Sequence, residues 1–434
     1  MSSLAIGFSG LGVVVILLAL RVPIAAALGL VSLVGIWMIR GSTAAFGALG
    51  TLTYDFAANW SLSAVPMFLL LGAITYRTGI TGVLYSAARV WMNWMPGGLA
   101  VATNFASAGF AAMCGSSVAT AAAMGRIAIP EMLDRGYDKS LAAGTVAAAG
   151  TLGALIPPSI LFILYGWFSE EPIGALLIAG LLPGLLTAVA YAGMIIIRCK
   201  LNPSLAPPAP KAIDKNEKWR ELARVWPIPV LIFAIIGGIY GGVVTPTEAG
   251  AFGAFVAIVI ATVQGRMNWR VLRDSITDAV RTTGAIFIIA IAAILLTRFL
   301  ALSGVPRYLS DLVTTHDITG IKLIIAIALI YILLGMFLDA IGLMLLTLPI
   351  FLPIFHTAGF DLIWMGVLVV KFLEIGVLTP PVGINAFVVK QVAGDAIPLT
   401  TVFRGIGWFL ACEVVVVALL IAFPQISLLL PSLM

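Results

Sequence analysis

The sequence predicts an all-α polytopic membrane protein built from two inverted-topology repeats, each holding a re-entrant helical hairpin and a broken helix. Three observations carry that prediction. With 61% apolar residues, 10% charged residues and a mean hydropathy of +1.13, the chain has repeated apolar runs long enough to cross a bilayer. The hexapeptides GALIPP (153–158) and GVLTPP (376–381) each place a double proline inside such a run. A constant offset of 223 carries Pro381 to Pro158, Pro353 to Pro130, Gly320 to Gly97 and Pro246 to Pro23, so one unit is written twice.

The repeats run over residues 1–200 and 225–434, joined by a hydrophilic linker at 201–224. In the first, spanning helices are expected near 4–20, 22–39, 62–76, 140–167 and 172–198. The first apolar run lacks a preceding positive segment and a cleavage site, so it reads as a true helix and not a signal peptide. The glycine-broken, alanine-rich stretch 98–130 reads as two half-helices, a re-entrant hairpin, and 140–167 as a helix broken at its prolines. The second repeat echoes this with helices near 226–244, 246–263, 285–301, 363–389 and 402–424, a hairpin at 320–353 and the break inside 363–389. Five crossings per repeat is an odd number, so the second repeat enters from the opposite face.

Charge gives an independent reading of topology. Lys and Arg concentrate in 198–224 and in Arg266–Arg281, which places both on the cytoplasmic side and both termini outside. The sequence pI of 9.2 therefore reflects topology and not a nucleic-acid partner. Cys114, Cys199 and Cys412 are scattered, and His316 and His356 stand alone, so neither a disulfide framework nor a metal motif is expected. An intramembrane enzyme is disfavoured for the same reason, since no HExxH or GxSxG occurs. A channel would have no need of two paired breaks.

The breaks carry the chemistry. A proline removes an amide donor and displaces the carbonyl four residues earlier, so Pro157 and Pro380 are expected to strand the carbonyls of Gly153 and Gly376. In hydrocarbon such carbonyls are tolerated only against protein, water or an ion. They suit sodium, a hard cation that seeks oxygen. Thr379 can add a hydroxyl and Val382 a carbonyl, and the offset makes Ile156 and Ser159 the corresponding positions in the first half. Two pseudo-symmetric Na+ sites follow, each completed by a hairpin tip: Gly115 with Ser116 and Ser117 in the first half, and Gly335, Phe337 and Asp339 with Gly342 in the second. Asp339 among Leu, Met and Phe is costly without a cation or strong donor, and it also suits the cap of the following half-helix.

Between the tips, half-helix N-termini would present amide donors to an anion, with Ser116, Ser117, Thr120 and Asn385 as polar contacts. For Ser117 and Thr120, capping or small-residue packing is the competing reading. Arg126 either meets a substrate carboxylate or snorkels to the inner surface near Glu131. Lys371 and Glu374, three apart on one helix, are expected to form an intrahelical ion pair. Glu248 reads as a helix cap and Glu413 carries no motif. Trp91, Trp94 and Trp269 read as interfacial anchors, and 265–281 as an amphipathic segment along the inner surface.

Four stretches, GSSVATAAAMGRIAIPEM (115–132), GTLGALIPPSI (150–160), TPTEAGAFG (245–253) and KFLEIGVLTPPVGIN (371–385), resemble the large membrane subunit of the tripartite ATP-independent periplasmic (TRAP) transporters. The resemblance covers essentially the whole chain. It implies an elevator-type secondary transporter of the ion transporter superfamily, with transport and scaffold domains, in the bacterial inner membrane. It further implies sodium-driven uptake of an organic anion, by default a C4-dicarboxylate, delivered by a periplasmic binding protein. A small four-helix membrane subunit is the implied companion, as a separate chain forming a heterodimer. A standalone sodium-coupled carboxylate symporter shares this architecture and would work without a binding protein.

Overall fold

The computed structural model describes residues 2–207, 215–316 and 320–434, and regular structure among them is helical throughout. Part of the expected linker, 208–214, lies outside the described residues. The chain opens with α1 (Ser3–Ala19), α2 (Ile24–Arg40), α3 (Ser42–Ala57), α4 (Ala64–Arg77) and α5 (Ile80–Met92). α6 (Gly98–Cys114) and α7 (Ser117–Asp134) form a hairpin around Gly115, whose φ of 67° is a backbone turn suited to glycine. α8 (Lys139–Gly150) and the single turn α9 (Leu152–Leu155) run into the break at 156–159, after which α10 (Ile160–Ser169) resumes. α11 (Ile173–Ala179) and α12 (Leu181–Leu201) complete the first half.

The second half repeats that order. The short α13 (Lys215–Arg224) precedes α14 (Pro227–Ile232) and α15 (Gly238–Tyr240), which are joined by a π-helical turn. α16 (Pro246–Val263), α17 (Trp269–Ser303) and α18 (Val305–Thr315) follow. α19 (Gly320–Gly335) and α20 (Ala340–Thr357) make the second hairpin, and α21 (Leu362–Leu378) breaks at 379–383 before α22 (Ile384–Ala393). α23 (Leu399–Ala422) and the short α24 (Gln425–Leu428) end the chain. Seven helical stretches among the described residues are long and apolar enough to cross a membrane, or eight if the bent α3–α4 pair counts as one span.

Short polar side chains set the helix starts. Asp138 accepts from the amides of Ser140 (2.9 Å) and Leu141 (3.0 Å) at the head of α8, and Asp361 from Trp364 (2.9 Å) at the head of α21. Thr245 and Glu248 form a reciprocal capping box at α16, as the cap reading of Glu248 expected.

Packing sorts the helices into two groups. α2 lies along α17 as α16 lies along α4, and α4 and α17 also meet each other. The hairpins and broken helices form the other group, and they interlock across the halves: α10 packs on α20 and α21, while α22 packs on α7 and α8.

The elements depart from expectation in three places. The amphipathic stretch 265–281 and the span at 285–301 are one continuous 35-residue helix, α17, because no proline interrupts its hydrogen bonds after the Asn268 cap. The equivalent first-half pair, α3 and α4, is bent by 57° around Asn59 and the turn Trp60–Ser63. The expected spans do not include α3, α5 or α18: α3 is rich in Gly, Ser and Thr, α5 is only 13 residues long and carries Thr81, Ser86 and Arg89, and α18 is half polar, so none reads as a span.

Candidate functional site

Each hairpin tip closes on the broken helix of its own half. In the first, the amide of Ile160, the residue that restarts the helix, donates to the Gly115 carbonyl at 3.3 Å. In the second, the amide of Gly383 donates to the Met336 carbonyl at 3.4 Å. Glycine is required at these contacts. A methyl on Gly115 would fall 2.4 Å from the Pro158 carbonyl oxygen, one on Gly153 2.7 Å from the Ser116 oxygen, and one on Gly376 2.8 Å from the Gly335 Cα. Gly115, Ser116, Thr120 and Gly153 are thus brought together at one break, and Gly335 and Gly376 at the other. Both double prolines contain a cis peptide bond.

The break carbonyls differ in their hydrogen bonding. Among the described residues, no donor beyond the helix itself reaches the Gly153 carbonyl. The Gly376 carbonyl, expected to be stranded, instead accepts from the Thr379 amide at 3.0 Å: the last turn tightens to recover a bond that Pro380 cannot supply. The Thr379 hydroxyl donates to the Ile375 carbonyl (2.6 Å), and the Ser159 hydroxyl donates to the Ala154 carbonyl. Both hydroxyl oxygens retain acceptor capacity. Ile156 and Ser159 are buried, whereas Pro380 and Pro381 are exposed and Val382 half-buried. The first break is therefore closed and the second open.

At the tips, Asp339 caps α20, its carboxylate accepting from the Gly342 amide at 2.8 Å. Phe337 is exposed, and a methyl on Gly342 would meet Ile24 of α2, so this tip abuts α2. Ser116 caps α7 by accepting from the Ala119 amide (3.4 Å), and the Thr120 hydroxyl donates to the Ser116 carbonyl (2.8 Å). Ser117 is buried against the Glu374 carboxyl. Asn385 is fully buried, and neither its amide nitrogen nor its carbonyl oxygen has a hydrogen-bond partner among the described residues. A buried amide left in that state is costly unless a ligand or water completes it.

A cavity of about 430 Å³ opens beside the first tip, between α7 and the helices α4 and α17. Cys114, Ser116 and Arg126 line one wall, and Tyr76, Arg77 and Asp278 the other. Arg126 crosses it, donating to the Tyr76 hydroxyl at 2.9 Å. Nearby, Glu131 is held by Arg89 (2.8 Å) and Arg135 (2.9 Å).

Residues 11–426 match the family model described as tripartite ATP-independent periplasmic transporter, DctM component. The chain belongs to that family. It is 34% identical to the sialic acid TRAP transporter large permease SiaM of Vibrio cholerae, over 86% of this chain and 87% of that protein. It is also 34% identical to the C4-dicarboxylate TRAP large permease DctM of Pseudomonas aeruginosa, over 89% of each. Identity to the ectoine TRAP large permease TeaC of Halomonas elongata is 33%, over 96% and 97%. Among solved structures, the YdaH transporter of Alcanivorax borkumensis superposes with a TM-score of 0.63 at 14% identity, covering 88% of this chain and 89% of that one. The Neisseria gonorrhoeae MtrF structure, described within a class of antimetabolite efflux pumps, gives 0.58 at 14% identity, over 88% and 85%. At that identity the likeness is one of fold. The protein is a multi-pass TRAP large permease of the bacterial inner membrane, and its relatives are transporters and not enzymes.

One feature of the permease escaped sequence reasoning. Lys371 and Glu374 do not pair. Lys371 instead forms an ion pair with Glu413 of α23 and donates to the Thr187 hydroxyl of α12 (3.2 Å), and the Tyr191 hydroxyl donates to the other Glu413 oxygen. Lys371 and Glu413 are 1% and 2% exposed, so α12, α21 and α23 are tied by a dry network. Glu374, equally buried, has no hydrogen bond of ordinary geometry among the described residues. The only available signal was cost: a carboxylate such as Glu413 in a 24-residue apolar helix demands a partner, and Lys371 is a cation in a comparable setting.

Proposed function

We propose that this permease carries an organic anion into the cell by sodium-coupled symport, one Na+ being held at each tip–break junction. The observation that supports this reading is the pairing itself: in each half a hairpin-tip carbonyl is bonded by the amide that restarts the broken helix, Gly115 with Ile160 and Met336 with Gly383. Such junctions gather carbonyls and half-helix ends, the donor set that suits a hard cation in a membrane. Gly115, Gly153, Ile156 and Ser159 would hold one ion, and Gly335, Phe337, Asp339, Gly376, Thr379 and Val382 the other. The equivalent order of elements and the interlocked packing fit two inverted repeats over 1–200 and 225–434, with both termini outside. α2, α4, α16 and α17 would form the scaffold past which the hairpins and broken helices move as an elevator.

Sialic acid, C4-dicarboxylates and ectoine, named for three of the relatives, carry a carboxylate, whereas isethionate, named for another, is a sulfonate, so the carboxylate is the commoner anionic group among them. That favours a carboxylate substrate, a C4-dicarboxylate or a related acid, bound between the tips by Ser116, Ser117, Thr120 and the unsatisfied amide of Asn385, with Arg126 at the cavity wall. A periplasmic binding protein would deliver it, and a small four-helix membrane subunit would complete the complex.

Uptake into proteoliposomes containing the chain and its small subunit tests this, with an inward sodium gradient or none, and with or without the loaded binding protein. Uptake should require both. Sodium-driven uptake indifferent to the binding protein would instead identify a standalone symporter, and flux indifferent to both would sink the coupled mechanism.

A further inference from the structure

α17 is too long for a simple crossing. Its 35 residues extend about 52 Å against a hydrocarbon core of about 30 Å, so its first turns must stand in the interfacial region. Trp269, at 76% exposed, marks that level as an aromatic anchor. Beside it lies a cavity of about 570 Å³ lined by Arg77, Arg270, Arg273, Asp274, Asp278 and Arg281. Arg77 is engaged by Asp274 at 3.5 Å and by Asp278. Among the described residues no ion pair engages Arg270, Arg273 or Arg281, so four arginines face two aspartates and the site carries two uncompensated positive charges.

On the same helix, overlapping this basic stretch and continuing past it, Ile276, Val280 and Ile288 are exposed at 43%, 62% and 61%. With Gly284 between them they form a row at four-residue spacing, a ridge that runs inclined to the helix axis. Gly284 has open space where a side chain would stand, which leaves a shallow channel in the ridge. The row spans about 18 Å, the depth of one leaflet.

We propose that this end of α17 binds the phosphate of an anionic phospholipid through Arg270, Arg273 and Arg281, with an acyl chain lying along Ile276, Val280 and Ile288. Charge and shape agree on that occupant: a zwitterionic headgroup would leave the excess charge unmatched, and a free phosphate would leave the apolar row bare. Such basic pockets at helix ends are where anionic headgroups gain about 1 kcal/mol per arginine, roughly fivefold in affinity each.

The full chain in detergent would be titrated with fluorescent phosphatidylglycerol, fluorescent phosphatidylcholine and inorganic phosphate. Phosphatidylglycerol should bind well above phosphatidylcholine. The double variant Arg270→Gln/Arg273→Gln should lose roughly 25-fold in affinity, while Arg220→Gln on α13 changes nothing. Ile288→Ser, which keeps every arginine and adds no charge, should weaken lipid binding without touching the headgroup site. The altered side chains are exposed, and an unchanged thermal unfolding midpoint confirms that each variant folds. Equal binding of the two lipids, or wild-type affinity in the double variant, overturns the proposal. Displacement of the lipid by millimolar inorganic phosphate would show that the site reads phosphate alone, and also overturns it.

Discussion

Gly376 and Gly335 touch through their Cα atoms, and a methyl on either would fall within 3 Å of the other. Gly376→Ala should therefore cost about 1–3 kcal/mol, read as a lowered midpoint in thermal unfolding, while Gly407→Ala, inside α23 with open space around it, should leave the midpoint unchanged or raise it. The Lys371–Glu413 pair obeys a different logic. Removing one partner leaves a buried charge alone, so Glu413→Ala should destabilise by about 3–5 kcal/mol, and Lys371→Met/Glu413→Leu should recover most of that loss. These two sites also differ in how far the sequence reveals them. The glycine of each GxxxPP hexapeptide is visible because proline acts on a fixed neighbour, four residues back. A long side chain such as Lys371 can reach Glu374 on its own helix or any helix packed beside it, and which helix that is depends on tertiary packing that local spacing does not encode.

Among the elements, the half-helices are the most legible and the most open to test. Helix starts are announced by short polar side chains, so both hairpins and both breaks could be placed from Ser116, Asp339 and the double prolines. The turns of α3, α5 and α18 were not, because a short or half-polar helix packed on one side gives neither a spanning run nor a motif. Asp339 allows cap and cation roles to be separated. Asparagine caps a helix as well as aspartate does, so Asp339→Asn should keep α20 and the folding midpoint. If the carboxylate faces Na+, the sodium concentration for half-maximal uptake should rise at least about tenfold, one unit of about 1.4 kcal/mol, and an unchanged value would remove Asp339 from the ion site. On α22, Asn385→Ala should leave the helix intact and reduce uptake at limiting substrate, since its buried amide has no partner among the described residues to lose.

At the scale of the molecule, the proposed elevator movement would require that contacts between the hairpins and α4 be temporary. The free thiol of Cys114 at the first tip sits against Gly72 of α4, where an added Cβ would be 3.4 Å from the sulfur. Gly72→Cys should form a disulfide with Cys114 on oxidation, arrest uptake, and release it on reduction, with the unmodified chain unaffected. Uptake that persists in the crosslinked protein would mean that this contact stays fixed through the cycle. The interlocking of the two halves has a further consequence, one for the ribosome. α10 is finished early, yet its neighbours α20 and α21 lie some two hundred residues downstream, and α22, which covers α7 and α8, comes later still. At about 5–20 residues per second, the first half waits roughly 10–45 s in the membrane before its partners exist. During that interval its unpaired carbonyls and half-helix ends must be sheltered by the insertion machinery, by lipid headgroups or by the first half folding provisionally upon itself.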